Sequence, residues 1–509
     1  MKIKTLKIKN FRGYRGEISV NFDEFTALVG KNDIGKSSIM EALDVFFNDG
    51  KGIVKLDKED VNVGARANHE NEISITICFS ELPDRIVIDA TNETTLLGEH
   101  LLNEDGLLEI TKKYPNGGSA KVFIRAFHPT NPDCADLLLK KDSELRRIID
   151  AKQIPCADRA RNAVMRSAIW QYYNDSLRMS LIDIDVTKGD TKSIWEKLQR
   201  YLPLYSLFQS DRKNSDGDSE VQDPLKEAVK EILRDEELQQ ILESVATTVE
   251  GKLREVSTRT LEKLREMSPD IANTLNPVIP TASSLKWAEV FKNVSIASDE
   301  NIPINKRGSG SKRLILLNFF RAEVERRQGE ANAASVIYAI EEPETSQHTE
   351  NQRKLIHALL ELAQAPNTQV LITTHSSPIV RELNLDNIRL IRNENGVKIV
   401  ENVSQNQLPY PSLNEVNYLA FSEISAEYHD ELYGYIEEQE WLNEYKTGKP
   451  TRTYIRLNRN GTTKEEQKVL SEYIRHVIHH PENTNNVRFT LDELRQSIEM
   501  MREFISGKI

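Results

Sequence analysis

The residues with the clearest chemical purpose stand near the start of the chain, where Gly30-Lys-Asn-Asp-Ile-Gly35-Lys36-Ser37 fits the spacing GxxxxGK[ST]. Glycines at its two ends let the backbone turn tightly, so that successive N–H groups point at phosphate oxygens. Lys36 can reach β- and γ-phosphates, and the Ser37 hydroxyl is a hard oxygen ligand suited to Mg2+. Gly30, Asn32, Gly35, Lys36, Ser37 and Ser38 are therefore the candidate contacts to ATP. Far downstream, Glu341-Glu342-Pro343-Glu344 offers adjoining carboxylates. Glu341 is the candidate to hold the metal, and Glu342 to position or activate a water.

These groups act together only if buried strands carry them to one place. Ile3, Leu6 and Ile8 alternate with lysines, which predicts a strand. Phe25-Thr-Ala-Leu-Val29 is a second strand, feeding the glycine loop, and Ile39 to Phe47 reads as the helix that follows it. Val336 to Ile340 leads into the acidic cluster, and Val370 to Thr374 leads into His375. Ligands of open α/β sheets lie at the carboxyl ends of the strands, where all three loops begin. The bland alternatives are a chance glycine-rich turn, an exposed acidic turn and a structural histidine. The apolar strand before each loop argues against them.

The succession "NFRGY", "GKNDIGKSS", a glycine-serine segment, "YAIEEPE" and "TTHSS" resembles the SMC/RecF/OLD branch of ABC ATPases over about residues 1–400. The resemblance implies an α/β fold with an ABC-type P-loop ATPase head, bound ATP and Mg2+, and two heads that close on nucleotide as a homodimer or higher oligomer. It makes His375 the switch histidine that senses the γ-phosphate. Gly308 to Arg313 becomes the signature loop, whose Ser309 and Gly310 cap the nucleotide of a second copy. Gln209 becomes a candidate metal ligand from the Q-loop, with a plain surface glutamine as the alternative. Two departures stand out: the signature reads GSGSK, and the segment after the acidic cluster lacks part of the family's histidine-proline pattern.

The rest of the chain divides by pattern. Residues 1–129 read as the first ATPase lobe, and 130–290 as a helical insertion with a short coiled coil over Leu225 to Met267. Residues 291–405 read as the second lobe, and 413–509 as a mainly α-helical effector or assembly domain. The strand-Glu and Asp-x-Asp of the TOPRIM domain found in OLD-type nucleases are not recognisable there. Glu423 to Glu444 is acidic, whereas 446–475 is basic with Tyr445, Tyr454 and Tyr473 interleaved, a composition that suits single-stranded nucleic acid. An oppositely charged, solvated helix pair is the alternative. Arg475 and His480 resemble the R-x4–6-H motif of HEPN ribonucleases, in which arginine stabilises charge on a phosphate and histidine moves protons, with His479 beside them. Pro481 offers the simpler reading, in which the histidines end a helix.

Composition sets outer bounds. The 509 residues are 39% hydrophobic and 29% charged, with a net charge of −12, which excludes a uniformly basic nucleic-acid coat. The three cysteines lack a CxxC spacing, so neither a disulfide framework nor a zinc clip is expected. No apolar run approaches the ~20 residues of a membrane helix, and the expected location is the cytoplasm, away from membranes. The expected function is an ATPase switch of bacterial phage defence that gates a nuclease, possessed by its own C-terminal domain, with tRNA, other RNA or DNA as target. One alternative is a scaffold for a separately encoded nuclease, as in Septu-like systems; another is a RecF-like repair ATPase.

Overall fold

The alternation at the N-terminus forms β1 (Lys2–Phe11), which buries Ile3, Leu6 and Ile8 and turns into β2 (Tyr14–Asn21). The computed structural model describes residues 1–49, 52–88, 93–187, 191–209, 229, 231–267, 335–345, 349–394, 396–403, 407–409, 412–458 and 461–508. β3 (Phe25–Val29) is buried at every position, and α1 (Lys36–Phe47) starts directly after the glycine loop. The short α2 (Val63–Ala67) precedes β4 (Glu72–Ser80), a small hairpin of β5 (Ile86–Val87) and β6 (Glu93–Thr94), β7 (Leu108–Pro115) and β8 (Lys121–Pro129). Helices α3 (Asp142–Lys152) and α4 (Asn162–Tyr172) lead to β9 (Met179–Asp185) and α5 (Thr191–Leu198).

Strands from this part build a 6-stranded antiparallel sheet in the order β2-β1-β4-β7-β8-β9. Between residues 130 and 200, where the sequence reads as part of a helical insertion, helices α3, α4 and α5 do prevail, and β9 is the one strand among the described residues. Its residues pair with β8 from Phe123↔Asp185 to Pro129↔Met179, so the first sheet reaches well past residue 129. Half-buried positions on both faces hide the alternation by which β9 would be recognised.

The next elements are β10 (Leu204–Phe208), α6 (Glu236–Met267), β11 (Val336–Glu341), α7 (Thr349–Ala363) and β12 (Thr368–Thr374). Then come α8 (Ser377–Val380), β13 (Ile388–Glu394) and β14 (Val397–Asn402). The chain divides into two compact units. One comprises Met1–Tyr201, Ile340–Glu344 and Gln369–Ile509, and the other Leu202–Ala339 and Thr345–Thr368.

In the first unit a second sheet runs β12-β3-β13-β14. β3 is parallel to both β12 and β13, and β13 forms an antiparallel hairpin with β14. Every residue of β3 and β12 is buried, as expected for central strands covered on both faces. The Gln369 side chain ties the two sheets together: it accepts the Ile3 N–H at 2.7 Å and donates to the Ile3 carbonyl at 2.9 Å. In the second unit, β10 lies beside β11 and the Leu204 N–H donates to the Ser335 carbonyl at 2.8 Å. α7 buries Leu355, Ile356, Leu359 and Leu362. α6 is a single 32-residue helix with Ile241, Val245, Val249 and Leu253 exposed; no second helix of the expected short coiled coil packs on it among the described residues.

The C-terminal part is mainly helical: α9 (Leu413–Phe421), α10 (Ala426–Glu438), α11 (Leu442–Lys446), α12 (Leu470–His479) and α13 (Leu491–Ser506). Ser412 caps α9, and Thr490 with Glu493 forms a capping box on α13. Tyr428, Leu432, Tyr445, Ile474, Ile498 and Met501 form its core. Within it the basic stretch is not helical but folds as a hairpin of β15 (Thr451–Leu457) and β16 (Thr463–Val469). Thr451, Thr453, Tyr454 and Ile455 favour a strand, and Gly461, at φ +79°, serves the turn.

Candidate nucleotide site

The parallel register decides which groups meet. Thr374 stands beside Val29, so His375 and Gly30 leave the same sheet edge from neighbouring strands. The Glu342 N–H donates to the Thr373 carbonyl at 3.1 Å, which brings the end of β11 to that edge as well. A Cβ at Gly30 would stand 2.7 Å from the Ile391 carbonyl oxygen of β13, so only glycine fits there. Gly35 has φ +112° and caps α1 with no side-chain hydrogen bond. The first turn of α1 carries no acidic residue, which leaves its positive end available to an anion.

Lys36 is buried, and its ammonium donates to the carbonyls of Gly30 at 2.8 Å and Lys31 at 2.9 Å. Burial pulls its pKa below the ordinary lysine value, while the charges of Glu342, Glu344 and Asp33 oppose that shift. Asn32 and Ser37 are exposed at the loop, and Ser38 is half-buried. Glu341 is buried. Glu342 is partly exposed, takes φ +42°, and lies 3.0 Å through Oε1 from His375 Nδ1. The buried Glu344 accepts the Thr374 hydroxyl at 2.7 Å and the His375 N–H at 3.1 Å, and its Oε1 is 3.5 Å from His375 Nδ1. Burial raises the Glu344 pKa, against the bonds from Thr374 and His375. His375 is thereby held between two carboxylates.

A family model described as AAA ATPase domain matches residues 1–380. The chain belongs to the AAA ATPase domain family. Its motifs resemble those of the SMC/RecF/OLD branch. It is 25% identical over 409 residues to the endonuclease GajA of Bacillus cereus (strain VD045), covering 79% of this chain and 59% of that one. Against the OLD nuclease of Thermus scotoductus (strain ATCC 700910 / SA-01) it is 24% identical over 403 residues, 78% of this chain and 63% of the relative. The chain thus spans about six tenths of the length of the curated relatives it matches. A solved SMC head, bound to the C-terminal winged-helix domain of ScpA, aligns with 80% of this chain and 99% of its own at 13% identity and a TM-score of 0.37.

The donor set of the ATPase suits Mg2+. A hydroxyl at Ser37 and a buried carboxylate at Glu341 are hard oxygen ligands, and Mg2+ takes few protein ligands when phosphates and water supply the rest. Gln209 lies directly after β10 in the second unit and is half-buried. Ser309 and Gly310 lie outside the described residues. Sequence reasoning gave no role to Glu344. Its sequence signal was a third carboxylate beyond Pro343 in the same turn, and only the fold shows that it anchors His375.

The C-terminal candidates are differently disposed. Arg475 pairs with Glu437 at 3.0 Å and stacks 4.5 Å from the Tyr433 ring centroid. His480 caps α12 and lies 3.2 Å from Glu482, while His479 lies 3.0 Å from Asp430. No hydrogen bond among the described residues joins Arg475 to His480. Tyr445, Tyr454 and Tyr473 are buried, which corrects their reading as base-stacking aromatics. The cations around them are engaged as well: Lys446 with Glu472, Arg452 with Glu493, Lys468 with Glu466 and Glu472. The acidic and basic stretches thus supply a buried aromatic core and ion pairs.

Two histidines give this region a pH dependence. His429 is fully buried, its Nε2 2.9 Å from the Ser497 hydroxyl, and burial lowers its pKa from 6.5. His476 is pushed down to about 4, chiefly by burial and then by the Lys468 charge. Both remain neutral in the fold at a pH where the unfolded chain binds the proton. Stability therefore falls as pH drops from 6.5 towards the folded values, by at most about 1.4 kcal/mol per pH unit for a buried group such as His429. Thermal melting followed between pH 7 and pH 5 should show the loss, and His429→Gln should flatten the slope.

Proposed function

We propose that this ATPase is a nucleotide-driven switch in a nuclease-based defence system. Lys36 and the loop amides hold the phosphates, Ser37 and Glu341 hold the metal, and Glu342 positions the attacking water. The observation that carries this reading is the placement of His375 between Glu342 and Glu344 at the end of β12. A histidine so held fixes the Glu342 carboxylate and reports on a phosphate arriving beside it. When bound, Mg2+ supplies charge neutralisation for the β- and γ-phosphates. Two copies close on ATP, with Ser309 and Gly310 of each completing the site of the other, and reopen after hydrolysis.

The names of the relatives support a nuclease as the output. The partnering of Arg475 by Glu437 and of His480 by Glu482 favours a C-terminal assembly module, with the nuclease supplied by a separate chain. The second reading, a ribonuclease at Arg475 and His480, rests on their spacing and on the His479–Asp430 pair nearby. Incubating the purified ATPase with tRNA and with DNA separates the two, with Arg475→Ala and His480→Ala alongside. We expect intact nucleic acid in all samples while ATP is turned over. RNA cleavage by the wild type that both substitutions abolish would reverse the choice.

A further inference from the structure

The loop at Gly35 is approached from outside by a second lysine, Lys398, carried on β14 of the hairpin that follows His375. Two glycines make room for it. A Cβ at Gly13 would collide with the Lys398 ammonium, and a Cβ at Gly35 would lie 3.1 Å from it. The ammonium also lies 5.5 Å from the centroid of the Tyr14 ring, whose hydroxyl donates to the Gly35 carbonyl at 3.1 Å. Lys398, Tyr14 and Gly35 therefore form one packed corner at the start of α1.

Among the described residues that corner holds a cation with no ion-pair partner. Lys398 is half-buried, and among the described residues no carboxylate lies within ion-pair distance of it. Desolvation lowers its pKa, and the opposing charge is Asp33, the same loop residue whose charge acts on Lys36. The two lysines thus flank one loop: Lys36 folds onto the carbonyls of Gly30 and Lys31, and Lys398 stands at the Gly35 end. A partly desolvated ammonium held by packing gains most from an anion that reaches it.

We propose that Lys398 is a second phosphate-binding cation of the nucleotide site, acting on the α- and β-phosphate side where α1 begins. The assignment rests on the reading of Gly30–Ser37 as the phosphate loop. Because ATP and ADP share those phosphates, Lys398 serves both, whereas Lys36 reaches the β/γ end and favours ATP. The absence of a side chain at positions 13 and 35 then leaves the path that the lysine takes, and at Gly35 glycine also serves the φ of +112°.

Calorimetric titration of the full-length wild type, Lys36→Ala, Lys398→Ala and Lys398→Arg with ATP and with ADP tests this. Loss of one charge-assisted contact should weaken both nucleotides about tenfold in Lys398→Ala and lessen the salt dependence of binding. Lys398→Arg should restore most of the affinity, and melting curves will show whether each variant is folded. Affinities for ATP and ADP within twofold of wild type in folded Lys398→Ala, with Lys36→Ala impaired, would overturn the role of Lys398 alone. A lowered melting temperature with unchanged affinities would make it a packing residue and overturn it equally. No binding of either nucleotide by the wild type would instead overturn the phosphate-loop reading itself.

Discussion

Lys36→Ala is expected to lower ATP affinity by about a hundredfold or more and to remove measurable ATP turnover. The ammonium is buried at the loop, and its hydrogen bonds to Gly30 and Lys31 hold it against the loop proposed to bind the phosphates. Alanine removes the charge in a poorly solvated place, where an interaction with phosphate is stronger than in water. The same substitution leaves the Gly30 and Lys31 carbonyls without that donor, so local loosening of the loop adds to the loss. Titration with ATP and a phosphate-release assay read the two effects. Tight ATP binding by a folded Lys36→Ala protein would remove the loop from the site.

Glu342→Gln should act on a different step. The substitution keeps shape and a hydrogen bond to His375 but removes the carboxylate's capacity to accept a proton from water. Turnover is expected to fall about 100- to 10,000-fold, the range for loss of a general base, while ATP affinity stays within a few-fold of wild type. With hydrolysis blocked, the ATP-bound pair should accumulate, so light scattering should show twice the monomer mass in ATP and not in ADP. The backbone supports this assignment: φ of +42° at Glu342 is unusual for a glutamate, and two acceptors on Thr373 hold its N–H.

The central sheet was legible because its strands are continuous apolar runs that end in polar loops. Phe25 to Val29 and Val370 to Thr374 carry that pattern outright, and their parallel pairing brings Gly30 and His375 together. Glu344 was less legible, since its purpose depends on the Thr374 hydroxyl and the His375 amide, which only folding delivers. Lys398 was not legible at all, because a lysine on a hairpin strand looks like any solvated one until Gly13 and Gly35 are seen to admit it. The C-terminal tyrosines were misread for a related reason. Interleaving with lysine and arginine does not say which way a ring points, and Tyr445, Tyr454 and Tyr473 point inward. The hairpin of β15 and β16 puts those cations opposite carboxylates that are distant in sequence, as with Arg452 and Glu493.

The claim that Glu342 activates the water at a site assembled on the β3, β11 and β12 edge is tested most directly by the nucleotide recovered from the protein. Wild type and Glu342→Gln would be loaded with radiolabelled ATP and Mg2+, freed of unbound nucleotide, and quenched in acid after a single turnover time. The expected result is mostly ADP from the wild type and intact ATP from Glu342→Gln. Equal conversion to ADP in both would contradict the assignment.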